Sequence, residues 1–309
     1  MTKEWEKPED LRRRKPVLWL TMTALFMAMV VVLSMSALSI PVPGGHLYFN
    51  DVVIDTAAML MDPLSAFIAC GVGAFLGDLL FYPAPMFVSL ITHGLQALVI
   101  SLLCRKLRMK QPLACAIAVL AGAIVMVVGY TLGRAFVYST PEYAIMKLPF
   151  QCLQAGVGVM AALVFVMTYF PKIPVPVTGG YVHLGDGAIF LSVLLLGPLG
   201  IPAAAVGSML SDLIGGYMVY VLPTFLIKGL VALVAWKLCR KDQPLLALLS
   251  FLLAEAVMVL GYFLLEWALY GVASAAAAIG PNVVQGIAGV LIGMLCLLIT
   301  PRLERVAKL

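Results

Sequence analysis

Charge is scarce in this chain: Asp, Glu, Lys and Arg make up 11% of its 309 residues, against 63% hydrophobic residues and a mean hydropathy of +1.06. A soluble globule of this length cannot be covered by so little polar surface. Chemical signatures are missing too. There is no Gly-x-x-x-x-Gly-Lys-Ser/Thr, so the chain brings no nucleotide-binding P-loop of its own. His46, His93 and His183 stand far apart, with no His-Glu-x-x-His and no Gly-x-Ser-x-Gly elbow, so neither a metal-dependent nor a serine hydrolase has support. We expect no enzyme, no cofactor and no metal site. The six cysteines, Cys70, Cys104, Cys115, Cys152, Cys239 and Cys296, form no Cys-x-x-Cys pair and read as small core hydrophobes. The net charge of +5 does not point to nucleic acid, because the basic residues sit in short flanks of apolar runs rather than in an aromatic-interleaved patch.

What is present is a series of apolar runs bounded by Pro, Gly or charge, at 17–38, 51–61, 64–81, 86–104, 112–137, 149–170, 186–196, 199–214, 218–238, 244–270 and 281–300. The chain is therefore expected to be an all-α, polytopic membrane helix bundle of about 10–11 segments, embedded in a lipid bilayer. The pieces at 51–61 and 186–196 are shorter than the roughly 20 residues that cross a bilayer, and each precedes a proline, Pro63 or Pro198, which predicts broken or tilted helices there. The run at 17–38 follows Arg12-Arg13-Arg14-Lys15 and suits an uncleaved first span with a cytoplasmic N-terminus in a cell membrane.

A polar phrase occurs twice, Gly44-Gly45-His46-Leu47-Tyr48-Phe49-Asn50-Asp51 and Gly179-Gly180-Tyr181-Val182-His183-Leu184-Gly185-Asp186, each after Ile-Pro-Val-Pro. The echo continues from Asp51, Pro63, Gly73 and Asp78 to Asp186, Pro198, Gly207 and Asp212, at an offset of 135 at the first Asp and 134 at the last. Val125–Tyr130 returns at Val257–Tyr262, and Gln154 returns as Gln285. Ordered polar anchors at nearly one offset indicate two related units. They share the helix near 149–170, and the chain divides into a basic tail at 1–16, a first unit at 17–148 and a second at 149–309. If all eleven segments cross, five lie between the two phrases and the units are inverted. If each Gly-Gly loop faces outward, 16 of the 20 Lys and Arg fall inside. The charge distribution favours parallel units with an irregular junction.

Polar residues within apolar spans are candidate ligand contacts. In the second unit Lys228 lies near the start of one span, while Tyr262 and Glu266 share a helix face one turn apart. The Lys and Glu should find each other, water or a ligand, or else form an ion pair that only fixes packing. Asn282 and Gln285 follow Pro281 on one helical turn, where amides serve either a heterocyclic ligand or helix–helix hydrogen bonds. Asp186 and His183 lie on the repeated phrase, Asp186 also reading as a helix N-cap, and Asp212 and Tyr217 flank a Gly215-Gly216 turn. In the first unit the Lys and Glu positions become His93 and Arg134, and Asn282 becomes Gln151. A pocket there either prefers a more acidic ligand or has lost binding. Ala24 and Ala28, one turn apart in the first span, form a low-profile stripe that Ser34 and Ala37 extend.

These motifs, Tyr181–Asp186, Leu196-Gly-Pro-Leu-Gly200, Gly207–Tyr217, Thr224-Phe-Leu-Ile-Lys228-Gly, Gly261–Glu266 and Pro281–Gln285, resemble the substrate-binding S component of energy-coupling factor (ECF) vitamin transporters. The resemblance covers 149–300 well and the first unit less well. It implies a roughly six-helix bundle that binds a vitamin or precursor at its outer end. Lys228, Tyr262, Glu266, Asn282 and Gln285 would line the pocket, with Asp186, His183, Asp212 and Tyr217 at its rim. It also implies docking through Ala24 and Ala28 on a transmembrane coupling subunit driven by two cytoplasmic ATPases. The alternative from the repeat alone is a self-sufficient, ion-coupled secondary transporter with inverted repeats.

Overall fold

The computed structural model describes residues 12, 15–34, 39–42, 45–107, 109–170, 173–174 and 181–307. Most of the basic tail at 1–16, Ala37, Gly44, Arg108, the Gly179-Gly180 pair and Lys308 lie outside the described residues. The chain forms two compact units, Met1–Val159 and Met160–Leu309.

The first unit runs α1 (Pro16–Leu33), an antiparallel hairpin β1 (Ile40–Val42) and β2 (Gly45–Leu47), α2 (Asn50–Leu60), α3 (Pro63–Phe81), α4 (Met86–Lys106), α5 (Gln111–Tyr138) and the first part of α6 (Pro141–Tyr169). The second continues from α6 through a short hairpin β3 (Ile173–Pro174) and β4 (Tyr181–Val182), α7 (Gly185–Leu196), α8 (Gly200–Gly215), α9 (Val221–Leu238), α10 (Pro244–Tyr270) and α11 (Val272–Ala307). Among the described residues, nine helical stretches are long and apolar enough to cross a membrane. The eleven apolar runs fall on these helices, and the two short pieces that precede Pro63 and Pro198 are broken as their prolines predict. The run at 186–196 joins α8 through one tight turn at Gly197–Leu199 into a broken 31-residue element, and the run at 51–61 is the 11-residue α2, too short to cross alone. Outward faces stay apolar, with Phe136, Ile145 and Leu298 among the most exposed side chains. That surface is stable only against lipid, so the chain is a multi-pass membrane protein.

Proline starts several helices, where its missing N–H is no loss. Pro63 opens α3 behind Asp62, whose carboxylate accepts the backbone N–H groups of Leu64 and Ser65. Trp19 on α1 donates its indole N–H to the same carboxylate at 2.5 Å, as does the Ser65 hydroxyl. Partial burial alone would raise this acid, but the bonds from Ser65, Trp19 and the backbone outweigh it and hold the carboxyl below its ordinary value.

Each unit buries a short helix. In α2 every residue from Asn50 to Met59 is buried, including Asp51, Asp55 and Thr56. In α7 the buried stretch from Gly185 to Phe190 includes Asp186, and Phe190 stacks on Phe251 of α10 with ring centroids 4.3 Å apart. Lipid is as apolar as Leu, so contacts of this kind hold the bundle by close packing rather than by escape from water. Of the cysteines, Cys70, Cys104 and Cys115 are buried as expected; Cys239 and Cys296 are half-buried, and Cys152, on the outer face of α6, is exposed.

Candidate functional site

The repeat becomes physical at two buried carboxylates. In the first unit Asp51 accepts Gln154 Nε2 at 2.6 Å and Gln96 Nε2 at 3.2 Å, and His93 Nδ1 lies 3.8 Å away. In the second, Asp186 accepts Gln285 Nε2 at 2.7 Å and Lys228 Nζ at 2.5 Å. Asp, basic side chain and amide thus recur in register. One turn beyond each amide stands a glycine against the same Asp. A Cβ on Gly158 would lie 2.9 Å from the Asp51 Cβ, and one on Gly289 would lie 2.7 Å from the Asp186 Cβ. The Gln-x-x-x-Gly spacing lets a helix approach the acid backbone-close while its amide satisfies the carboxylate.

Around this shared frame the units differ. In the first, Gln96 also donates to Asp55 at 2.9 Å and its carbonyl meets His93 Nδ1 at 2.8 Å, so the acids are served by neutral amides. A cavity of about 530 Å³ opens beside them, with His93, Asn50, Gln151 and Gln154 among its polar walls. Tyr48, Tyr82, Tyr130, Tyr138 and Tyr143 supply aromatic walls, and Tyr130 meets His93 edge-on with centroids 5.2 Å apart. The size is that of a small-molecule site. The hairpin is tied across to α6: Lys147 Nζ donates to the His46 carbonyl at 3.2 Å, and the Tyr48 N–H donates to Gln154 Oε1 at 3.1 Å. Asp78 accepts the Ser89 hydroxyl, so Tyr130 must donate to Ser89, 2.5 Å away. α5 ends in a wide π turn at Arg134–Tyr138 that brings both residues to the cavity. Such turns recur at functional sites.

The candidates from the second unit fall differently. Lys228 is 1% exposed and pairs with Asp186 rather than with Glu266, and it lies 5.7 Å from the Tyr262 ring. Tyr262 hydrogen-bonds Thr224 at 3.0 Å. Gln285 joins the pair through Asp186, whereas Asn282 and Glu266 are half-buried. His183 is buried and accepts the Gly185 N–H at 3.1 Å. Asp212 is buried at the end of α8, its carbonyl accepting the N–H of Tyr217, which is exposed. Asp186 makes no side-chain cap and turns inward to Lys228, which overturns its reading as an N-cap. Ala24 and Ala28 lie together on the exposed face of α1.

Sequence reasoning passed over Glu255, in the middle of α10. It is 5% exposed, neither carboxyl oxygen has a hydrogen-bond partner, and its Oε1 would lie 2.8 Å from a Cβ on Gly289, beside Asp186. An acid twelve residues into an apolar run was the available signal. Lys147, Asp55 and Gln96 were missed as well. For Asp55 and Gln96 the signal was the same, a polar group within an apolar segment, whereas Lys147 lies between the runs at 112–137 and 149–170.

Comparison with known proteins falls on the same two halves. A family model described as "ECF-type riboflavin transporter, S component" matches residues 16–157 and again 154–301. A protein of Pyrococcus woesei described as "Uncharacterized protein in gap 3'region" is 39% identical over 132 residues, covering 42% of this chain and 88% of that protein. The "Thiamine precursor transporter HmpT" of Lactococcus lactis is 32% identical over 156 residues, covering 48% of this chain and 85% of the relative.

Proposed function

Because the chain belongs to the ECF-type riboflavin transporter S-component family, we propose that its first unit binds a small vitamin-like heterocycle in the cavity beside His93, Gln151 and Gln154. One observation carries this reading: a 530 Å³ space lies wholly within one unit, walled by tyrosine rings and by amides that can both donate and accept. The family and the L. lactis relative are named for riboflavin and a thiamine precursor, both ring compounds of suitable size. The amides fix the orientation of the ring and the tyrosines stack on it. The hairpin, held through Lys147 and Gln154, covers it. No covalent chemistry is required; ligand contacts bias a conformational equilibrium.

For the second unit we propose a counterpart of the same site whose floor is held by an ion pair. Asp186, Lys228, Gln285 and Tyr262 form its floor, and Glu266, Asn282, His183, Asp212 and Tyr217 lie toward its rim. The support is the repeated carboxylate, basic group and amide; a ligand would have to displace the ion pair to enter. Uptake is driven by a separate transmembrane coupling subunit and two cytoplasmic ATPases, with the N-terminus cytoplasmic. The exposed stripe of Ala24 and Ala28 on α1 offers the docking face.

Mass spectrometry of the small molecule released from protein purified without added substrate tests the binding step. A ring compound is expected in the wild type and should be at least tenfold depleted in Gln151→Trp, which fills the cavity while the protein stays monodisperse. Equal recovery from both proteins would refute the placement. Liposomes holding this chain alone should not concentrate the compound on an ion gradient; if they do, the secondary-transporter reading replaces this one.

A further inference from the structure

We infer that the cavity of the first unit selects a ring compound carrying an acidic group, a phosphate monoester or a carboxylate, with Arg134 and Lys147 as its anion contacts. The inference rests on the reading of that cavity as the substrate site and narrows the ligand class. Three strongly ionising side chains line the space, Asp78, Arg134 and Lys147, so cations outnumber the acid by two to one. Asp78 is already engaged by the Ser89 hydroxyl, which takes a further bond from Tyr130. Lys147 is 5% exposed and spends one of its three donors on the His46 carbonyl. Arg134 is 9% exposed, its Cζ lies 5.5 Å from the Tyr130 ring, and its buried Nη1 has no hydrogen-bond partner.

A buried guanidinium N–H without an acceptor is costly, and a planar fork of this kind matches the paired oxygens of a phosphate or carboxylate. Tyr130 and Tyr138 flank the same π turn, so an acidic group at Arg134 leaves the attached ring among the tyrosines. The position corresponds to Glu266 in the second unit, so the two units differ in charge where they agree in frame.

The test compares matched pairs of probes on the full chain in lipid nanodiscs: riboflavin against its 5′-phosphate, and a hydroxymethylpyrimidine against its phosphate ester, by calorimetry. In at least one pair the acidic member should bind tenfold or more tightly. Arg134→Gln should bring that pair to within about threefold by weakening the acidic member alone, and Arg134→Lys should restore part of the difference. Equal affinities within each pair, or tighter binding of the neutral member, overturn the inference while leaving the cavity as a ring site. An equal loss of both members in Arg134→Gln also overturns it, since that marks a packing role. Failure of all four probes removes the inference together with the reading beneath it.

Discussion

Lys228 offers the sharpest test of how the second unit is held together. Its ammonium is 1% exposed and 2.5 Å from Asp186, which is 0% exposed, while Glu255 stands on the same side of Gly289 with no partner of its own. In Lys228→Met, Asp186 keeps the amide of Gln285 and the nearby His183 but loses its bonded ammonium, and Glu255 faces it with neither carboxyl oxygen hydrogen-bonded. Breaking a buried pair from one side costs about 3–5 kcal/mol, because the remaining charge is uncompensated. Removing both partners, in Lys228→Met with Asp186→Leu, should recover most of that loss, giving a coupling of about 2 kcal/mol or more. The first unit supplies the control. His93 is 3.8 Å from Asp51, which retains amides from Gln96 and Gln154, so His93→Met leaves only the Gln96 carbonyl unpaired and should cost about 1–2 kcal/mol. Unfolding by SDS in mixed micelles, followed by the fluorescence of Trp236 and Trp267 on α9 and α10, gives the free energies. The reasoning fails if Lys228→Met costs no more than His93→Met, or if the double variant loses the sum of its two singles.

Other substitutions probe the remaining links. Gly289→Ala places a methyl 2.7 Å from the Asp186 Cβ and should destabilise by about 1–3 kcal/mol in the same titration, with Gly158→Ala doing likewise against Asp51. Glu255→Met removes two unbonded oxygens from the interior and should stabilise by about 1–3 kcal/mol; a loss instead would mean that the carboxyl holds something. Asp62→Asn should be less stable than the wild type at pH 7. The Asp62 carboxyl lies below its ordinary 3.8 when folded, so its contribution is full above that value and is lost as pH falls through the folded one. A wild-type margin that grew on acidification would contradict the assignment of its hydrogen bonds. Ala24→Leu with Ala28→Leu should abolish co-purification of the coupling subunit while leaving ligand affinity within about twofold, since both side chains face outward from α1.

Much of this architecture is legible in the residues. Asp51 and Asp186, Gln154 and Gln285, and His93 and Lys228 recur at nearly one offset, and their places in the frame need that recurrence, because each amide and glycine serves the acid of its own unit. What the sequence does not disclose is which charges meet. Lys228 lies 38 residues before Glu266 and 42 after Asp186, so chain separation does not choose between them; the turn that buries α7 does. Charged residues draw the eye to the second unit, yet opposite charges placed within reach satisfy each other. In the first unit His replaces Lys and Arg replaces Glu, which removes that internal match. Its acids are met by amides, a guanidinium N–H is left without an acceptor, and a cavity stands open. Inside a membrane protein an unmatched donor beside empty volume is the stronger sign of a ligand, because a matched pair gains nothing from one. That mismatch becomes visible only once the helices are packed.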